Sequence, residues 1–322
     1  METVRLGTTG LQVSPICFGT WRFGKETGGV METDREQAHE LLDTLAAAGG
    51  NFIDTANGYG DGRSEEWIGE WLADRDREEY VLASKCYWST VSQHQENLSR
   101  KNVRAEVAGS LDRLDTDYLD ILYLHRWDEG TPIETTLRTL DDLVSEGKVH
   151  NIGLSTAAAW RLTKGLYTAD LNDYERFSVT QPQFSATHRE PVADYLDVCA
   201  AEDVAVCPYS PLHGGFLTGK YQRTEDGGVT TPSGSRGDID EQFSDWYLTD
   251  DAWDVLDAVE TVAAEADATP AQAALRWLMD QSAFTCVPII GARTPEQLEE
   301  NLAAVDVSLS ADQHGRITAA NE

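Results

Sequence analysis

Lysine is scarce in this chain: Lys25, Lys85, Lys101, Lys148, Lys164 and Lys220 are all there are in 322 residues. Against 56 Asp+Glu stand only 25 Lys+Arg, a formal net charge of -31. Such a field repels DNA, RNA and anionic lipid surfaces, so nucleic-acid and membrane partners are excluded. Cysteine is sparse too. Cys17, Cys86, Cys199, Cys207 and Cys286 lie far apart, with no C-x-x-C and no histidine at metal-ligand spacing, which argues against zinc and against a disulfide framework. Free, buried thiols in a reducing compartment are the expectation. No apolar run approaches a membrane span, and the opening "METVRLGTTGLQVS" has no signal-peptide apolar region. A soluble, cytoplasmic protein follows as the expectation.

What replaces the missing lysine is carboxylate, spread along the chain instead of gathered in a tail. A dense acidic surface stays hydrated in strong salt while the salt screens its self-repulsion. The composition resembles proteins of salt-loving microbes.

After a β-hairpin turned at Thr9-Gly10, strand and helix patterns alternate. The strand candidates are "PICFGT", "NFIDTA", "YVLASK", "YLDILYLH", "VHNIGLS", "FSVTQPQF", "VAVCPYS" and "FTCVPIIG". They are continuous apolar runs, as burial on both faces of a parallel sheet requires. Amphipathic helix patterns fall near 33–48, 64–73, 95–114, 132–147, 158–169, 191–203, 252–281 and 294–304. Eight strand-helix pairs predict an α/β fold, a (β/α)8 TIM barrel with an N-terminal hairpin, as a single domain over 1–322. One connection is long: after "VAVCPYS", the seventh strand, the chain runs from Pro211 to about Thr249, a length usually reserved for function.

In such a barrel the chemistry gathers where strands end. "NFIDTA" supplies Asp54 and then Tyr59 between Gly58, Gly60 and Gly62; "YVLASK" ends in Lys85; "YLDILYLH" ends in His125. Singly, each has an ordinary explanation: a loop cap, a packing aromatic, a surface lysine, a core histidine. Together, on neighbouring strands, they form an acid, a base partner and a proton donor that chance packing rarely assembles.

The segments "DTANGYGDGRSEE", "LASK" and "LYLHRWD" resemble the aldo-keto reductases, and the likeness continues through "IGLS", "QPQFS", "PYSPLHGGFLTGKY" and "IIGARTPEQLEENLAAV". The resemblance implies a catalytic tetrad of Asp54, Tyr59, Lys85 and His125. Tyr59 is expected to protonate the oxygen of a carbonyl receiving hydride from NADPH, with NADH use left open. Lys85, held by Asp54, is expected to lower the pKa of the phenol, and His125 to hydrogen-bond the substrate oxygen, with proton passage as a second role. For the cofactor the resemblance implies Gly19, Thr20 and Trp21 near the nicotinamide, with Asp54 beneath; Ser155, Thr156 and Gln181 at the carboxamide; and Tyr209 stacked on the ring. Ser210, Leu212, Leu217, Lys220 and Arg236 would close over the pyrophosphate. Gly291, Arg293, Gln297, Glu300 and Asn301 would hold the adenosine end, Arg293 taking the 2′-phosphate. Trp21, Phe23, Tyr87, Trp88 and Trp127 would line a pocket for a small carbonyl substrate.

Thr156 departs from the Asn common after the Ser, and "QFS" departs from Gln-x-x-Tyr-Asn. Three other classes are weighed against this reading. A nucleoside triphosphatase fails because "GGFLTGKY" carries Tyr221 where a P-loop needs Ser or Thr. A barrel glycosidase fails because Asp54 has no second rim carboxylate. A non-catalytic cofactor-binding subunit of the same fold remains the alternative.

Overall fold

In the computed structural model, residues 1–91, 96–224, 228–239, 243 and 247–320 are described. A hairpin of Val4–Arg5 and Gln12–Val13 comes first. The eight expected strands follow as Cys17–Gly19, Phe52–Asp54, Val81–Cys86, Leu119–Leu124, Val149–Ser155, Phe177–Gln181, Ala205–Val206 and Ile289–Ile290. Each pairs in parallel with its neighbour, first to seventh in chain order, and the eighth pairs with the first. The ring closes between the seventh and eighth: the Val206 N–H donates to Thr285 O at 2.8 Å, and the Val287 and Ile289 N–H groups donate to Val206 O and Pro208 O, each at 2.9 Å.

The continuous apolar runs are buried on both sides, as the Val81–Cys86 and Leu119–Leu124 strands show along their whole lengths. One set of side chains packs outward against the helices. The other fills the barrel, where Tyr123, Cys17, Cys207 and Val179 meet Leu6 and Val13 of the hairpin, which thereby plugs the barrel floor. Gly153 is needed here, since a Cβ on it would meet the Tyr123 ring at 2.5 Å. All five thiols are buried and free, as expected.

Helices begin where caps allow. Asp34 with Gln37 and Thr269 with Gln272 form capping boxes for Arg35–Ala47 and Pro270–Met279. The pattern near 252–281 is two helices, Asp250–Glu265 and Pro270–Met279, because Pro270 suits a first turn and not an interior. Ala311–Ala319, capped by Ser310 and Gln313, is a helix that the periodicity reading omitted. Ser64, a cap-type residue at the start of the helix pattern near 64–73, does not cap that helix. The segment Arg63–Leu72 starts after left-handed Gly62, and the buried Ser64 hydroxyl bonds Thr20 at 2.7 Å and Thr55 at 2.8 Å. The long connection carries its own structure: a 3-10 turn at His213–Thr218, a hairpin of Gln222–Arg223 with Val229–Thr230, and a short helix Arg236–Ile239. Its residues Phe216, Tyr221, Phe243 and Tyr247, with Trp253 and Trp277, belong to a second apolar cluster. No helix among the described residues is long and apolar enough to cross a membrane.

Candidate active site

At the C-terminal end of the second strand Asp54 is buried, and the third strand aims the wholly buried Lys85 at it. The Lys85 ammonium donates to Asp54 Oδ2 at 2.5 Å and to Thr55 O at 2.7 Å; Gln181 Nε2 donates to Asp54 Oδ1 at 2.8 Å. Lys85 Nζ also lies 4.7 Å from the centre of the Tyr59 ring, within cation–π reach. Tyr59 meets His125 edge-on at 5.8 Å, and Trp88 meets His125 edge-on at 4.6 Å.

Tyr59 is aimed by its glycines. Gly60 has φ +58°, and a Cβ there would stand 2.4 Å from Phe23 O. Only glycine tolerates both, so the turn presses against the chain after the first strand.

Charge in this site follows burial and pairing together. Burial raises the Asp54 carboxyl, and Lys85 and Gln181 offset only part of that. Burial lowers the Lys85 ammonium, but Asp54 and Tyr59 outweigh it and its pKa ends raised. For Tyr59 the expected lowering is not the outcome. Lys85 pulls in that direction, but desolvation is the larger effect and the phenol ends raised. His125 is held well below the ordinary histidine value by burial, then by Lys85 and Arg126. It is a neutral imidazole, and its Nδ1 is buried without a hydrogen-bond partner.

A cleft of about 1400 Å³ opens over these groups. Asp54, Tyr59, His125, Trp21 and Trp88 line it, together with Gly19, Ser155, Thr156, Gln181 and Tyr209. Ser155 Oγ donates to Gln181 O at 2.9 Å, and Thr156, at φ +47°, bonds the Tyr209 hydroxyl. Ser210, Leu212 and Lys220 line the cleft too, as do Gly291, Arg293, Gln297, Glu300 and Asn301.

Six expected residues lie elsewhere. Thr20 is buried and donates to Asp54 O at 3.0 Å; Leu217 is in the second apolar cluster; Lys85 stands behind Asp54. Phe23 is core, Tyr87 packs on Trp88 at 5.4 Å, and Trp127 packs on Trp160 at 6.1 Å. The Arg236 side chain lies outside the described part.

Other cleft residues escaped the sequence reading. Ser89 and Thr90 extend the wall beyond Trp88, held by the buried Glu106, which accepts from Ser89 Oγ, Thr90 Oγ1 and Asn57 Nδ2 at 2.7, 2.7 and 2.8 Å. Arg22 lines the cleft as well. No local pattern flagged these residues, because the strand-end rule looks only at one position per strand.

The cations fit an anionic ligand. Lys220 is half-buried, and its pKa is lowered by burial, then by Arg293 and Arg22. Among the described residues no carboxylate pairs with Lys220 or Arg293, although the chain carries a net charge of -31. Cations gathered without counter-charge suit phosphate groups.

Residues 15–322 match the Aldo/keto reductase family. A norsolorinic acid reductase of Emericella nidulans is 36% identical over 94% of this chain and 77% of its own length. The aryl-alcohol dehydrogenase [NADP(+)] of Phanerodontia chrysosporium is 34% identical over 94% of this chain and 81% of its own length. A probable voltage-gated potassium channel subunit beta of Arabidopsis thaliana is 33% identical over 95% of this chain and 92% of its own length. The chain belongs to the aldo/keto reductase family, and it is an oxidoreductase of that family.

Proposed function

We propose that the protein reduces an aldehyde or ketone to the alcohol using NADPH, in a salt-rich cytoplasm, with Tyr59 as the general acid. The observation that carries this reading is the meeting of Asp54, Tyr59, Lys85 and His125 at a cleft that Lys220 and Arg293 also line. When bound, the nicotinamide supplies a hydride to the carbonyl carbon. The Tyr59 hydroxyl donates its proton to the carbonyl oxygen as charge develops there. The Lys85 ammonium stabilises the phenolate that remains, and Asp54 holds Lys85 in place and in charge. Neutral His125 offers an N–H to the same oxygen and orients it.

Ser155, Thr156 and Gln181 would hold the carboxamide, Gln181 with one amide N–H already committed to Asp54. Tyr209 would pack on the ring, Ser210, Leu212 and Lys220 would take the pyrophosphate, and Arg293 with Gln297, Glu300 and Asn301 would take the adenosine end. Arg293 supports NADP(H) over NAD(H). For the substrate, Trp88 beside His125 and the 43% exposed Trp21 favour a flat, apolar carbonyl compound, a class consistent with the aryl alcohol named for one relative.

The test is NADPH oxidation in high-salt buffer with aryl aldehydes, aliphatic ketones and sugars, for wild type and Tyr59→Phe. Loss of the hydroxyl is expected to lower kcat about 10²- to 10⁴-fold while NADPH still binds. Undiminished turnover in Tyr59→Phe overturns the assigned acid. Tight NADPH binding without wild-type turnover favours a regulatory subunit, the reading raised by the channel-subunit relative.

A further inference from the structure

Among the described residues six large apolar side chains stand exposed, and they fall into two groups. Trp21 and Trp88 line the cleft, and Val91 follows the cleft residues Ser89 and Thr90. The other three, Trp160, Tyr167 and Leu171, are 56%, 66% and 79% exposed and share one helix, Ala159–Asn172, which follows the fifth strand. Their spacing of seven and then four residues, with the exposed Lys164 between the first two, makes a single stripe along that helix. The opposite stripe of Leu162, Gly165, Leu166 and Ala169 is buried. The barrel core thus takes one face of the helix, and the outer face keeps two aromatic rings and a leucine in water.

Trp160 is held before any partner arrives. The Arg161 guanidinium lies 5.1 Å from its ring centre, and Trp127 packs on it at 6.1 Å, so little side-chain freedom is left to lose in a contact. Exposed to this degree, the three side chains present roughly 400 Å² of surface. That is about half of the ~800 Å² one partner buries in a standard interface, enough for the centre of such a face with the flanking helices as its rim.

Charge selects the partner. The helix carries Arg161, Lys164 and Asp170, two cations against one anion, in a chain of net charge -31. A basic partner would meet Lys164 at the centre of the stripe, and a strongly acidic one would meet the field of the whole chain. A second copy meets neither obstacle at the stripe. With two such helices antiparallel about a twofold axis midway between Trp160 and Leu171, Trp160 stands opposite Leu171 of the other copy, Lys164 opposite Tyr167, and Arg161 opposite Asp170. The first pair is apolar and the second sets an ammonium against an aromatic ring. Arg161 and Asp170, already paired with Glu129 and Arg176 in their own chain, add little but set no like charges together.

We infer that the outer face of Ala159–Asn172 is a homodimer contact, its occupant the same helix of a second copy of this chain. The flanks make the contact depend on salt. Glu134 on the adjacent helix Ile133–Ser145, and Asp194 and Asp197 on Ala193–Ala201, are exposed. In a twofold pair each flanking helix lies on the same side as its own copy, so these carboxylates repel until salt screens them. The dimer therefore tightens as salt rises, whatever the cofactor or the reaction.

Sedimentation equilibrium of wild type, Leu171→Glu and Val91→Ser at 0.1 and 2 M KCl tests this, with circular dichroism to show that each variant is folded. Wild type is expected to dimerise, more tightly at 2 M. Leu171→Glu, which sets a carboxylate against Trp160 of the other copy, is expected to raise the dimer Kd more than about tenfold. Val91→Ser, an exposed apolar residue off the stripe, is expected to leave it unchanged. The register is read by Trp160→Cys/Leu171→Cys under copper–phenanthroline oxidation, since the five native thiols are buried. This double variant is expected to cross-link between chains where Leu171→Cys alone does not. A wild type that stays monomeric at both salt concentrations would overturn the inference and leave the stripe to a different protein. A dimer that Leu171→Glu does not weaken would place the interface elsewhere and overturn it too.

Discussion

Tyr59 and His125 carry opposite shifts with one common cause, burial, and each sets a pH expectation. The raised Tyr59 phenol remains protonated through neutral pH, the form required for carbonyl reduction. His125 in the folded chain titrates below its ordinary 6.5. The unfolded chain therefore takes up that proton first as pH falls, and the folded state loses stability below about 6.5. Urea midpoints at pH 7.5 and 5.5 should show a smaller acid-side loss in His125→Gln than in wild type; equal losses would mean that His125 is not held neutral.

At the scale of elements, the aromatic wall depends on a helix that never reaches the cleft. Glu106, on Arg100–Leu114, is buried and has no cation paired with it among the described residues; hydrogen bonds from Ser89, Thr90 and Asn57 outweigh its desolvation, so its carboxyl stays below the ordinary value. Asn57 also donates to Trp88 O at 2.7 Å. Replacing one oxygen by an amide in Glu106→Gln sets donor against donor and loosens the wall. Substrate KM is expected to rise about tenfold while NADPH Kd holds, a split that steady-state kinetics and titration resolve. An unchanged KM would show that the wall is held by packing alone. The same scale explains Ser64: a hydroxyl before an amphipathic run reads as a cap, yet Gly62 turns the chain and Ser64 instead ties the first two strand ends together.

For the whole molecule the controlling quantity is a net charge of -31. Ion pairs are numerous at the surface, among them Arg176 with Asp170 and Glu202 and Arg104 with Glu146, but exposed pairs contribute little each. Most carboxylates remain mutually repelling, and this repulsion is screened as the Debye length shortens from about 10 Å at 0.1 M to about 3 Å at 1 M salt. Thermal unfolding is expected to shift upward by several degrees between 0.1 and 2 M KCl. A melting temperature that falls or stays level would remove the salt-adapted reading.

The sequence alone determined the barrel, since strand length, continuous apolarity and the regular alternation with helices are local properties that admit few architectures. It also put Asp54, Lys85 and His125 at or next to strand ends, which in such a barrel meet at one rim, while the roles proposed for them and for Tyr59 came from the family resemblance. Only the tertiary structure decided which contacts surround those residues. Lys85 lies wholly inside, desolvation outweighs its pull on Tyr59, and Gln181 reaches Asp54 across 127 residues of chain. Thr20 and Leu217 turn away from the cleft while Arg22 and Ser89 turn toward it. Burial and side-chain direction arise from packing between distant segments, and no short stretch of sequence encodes them.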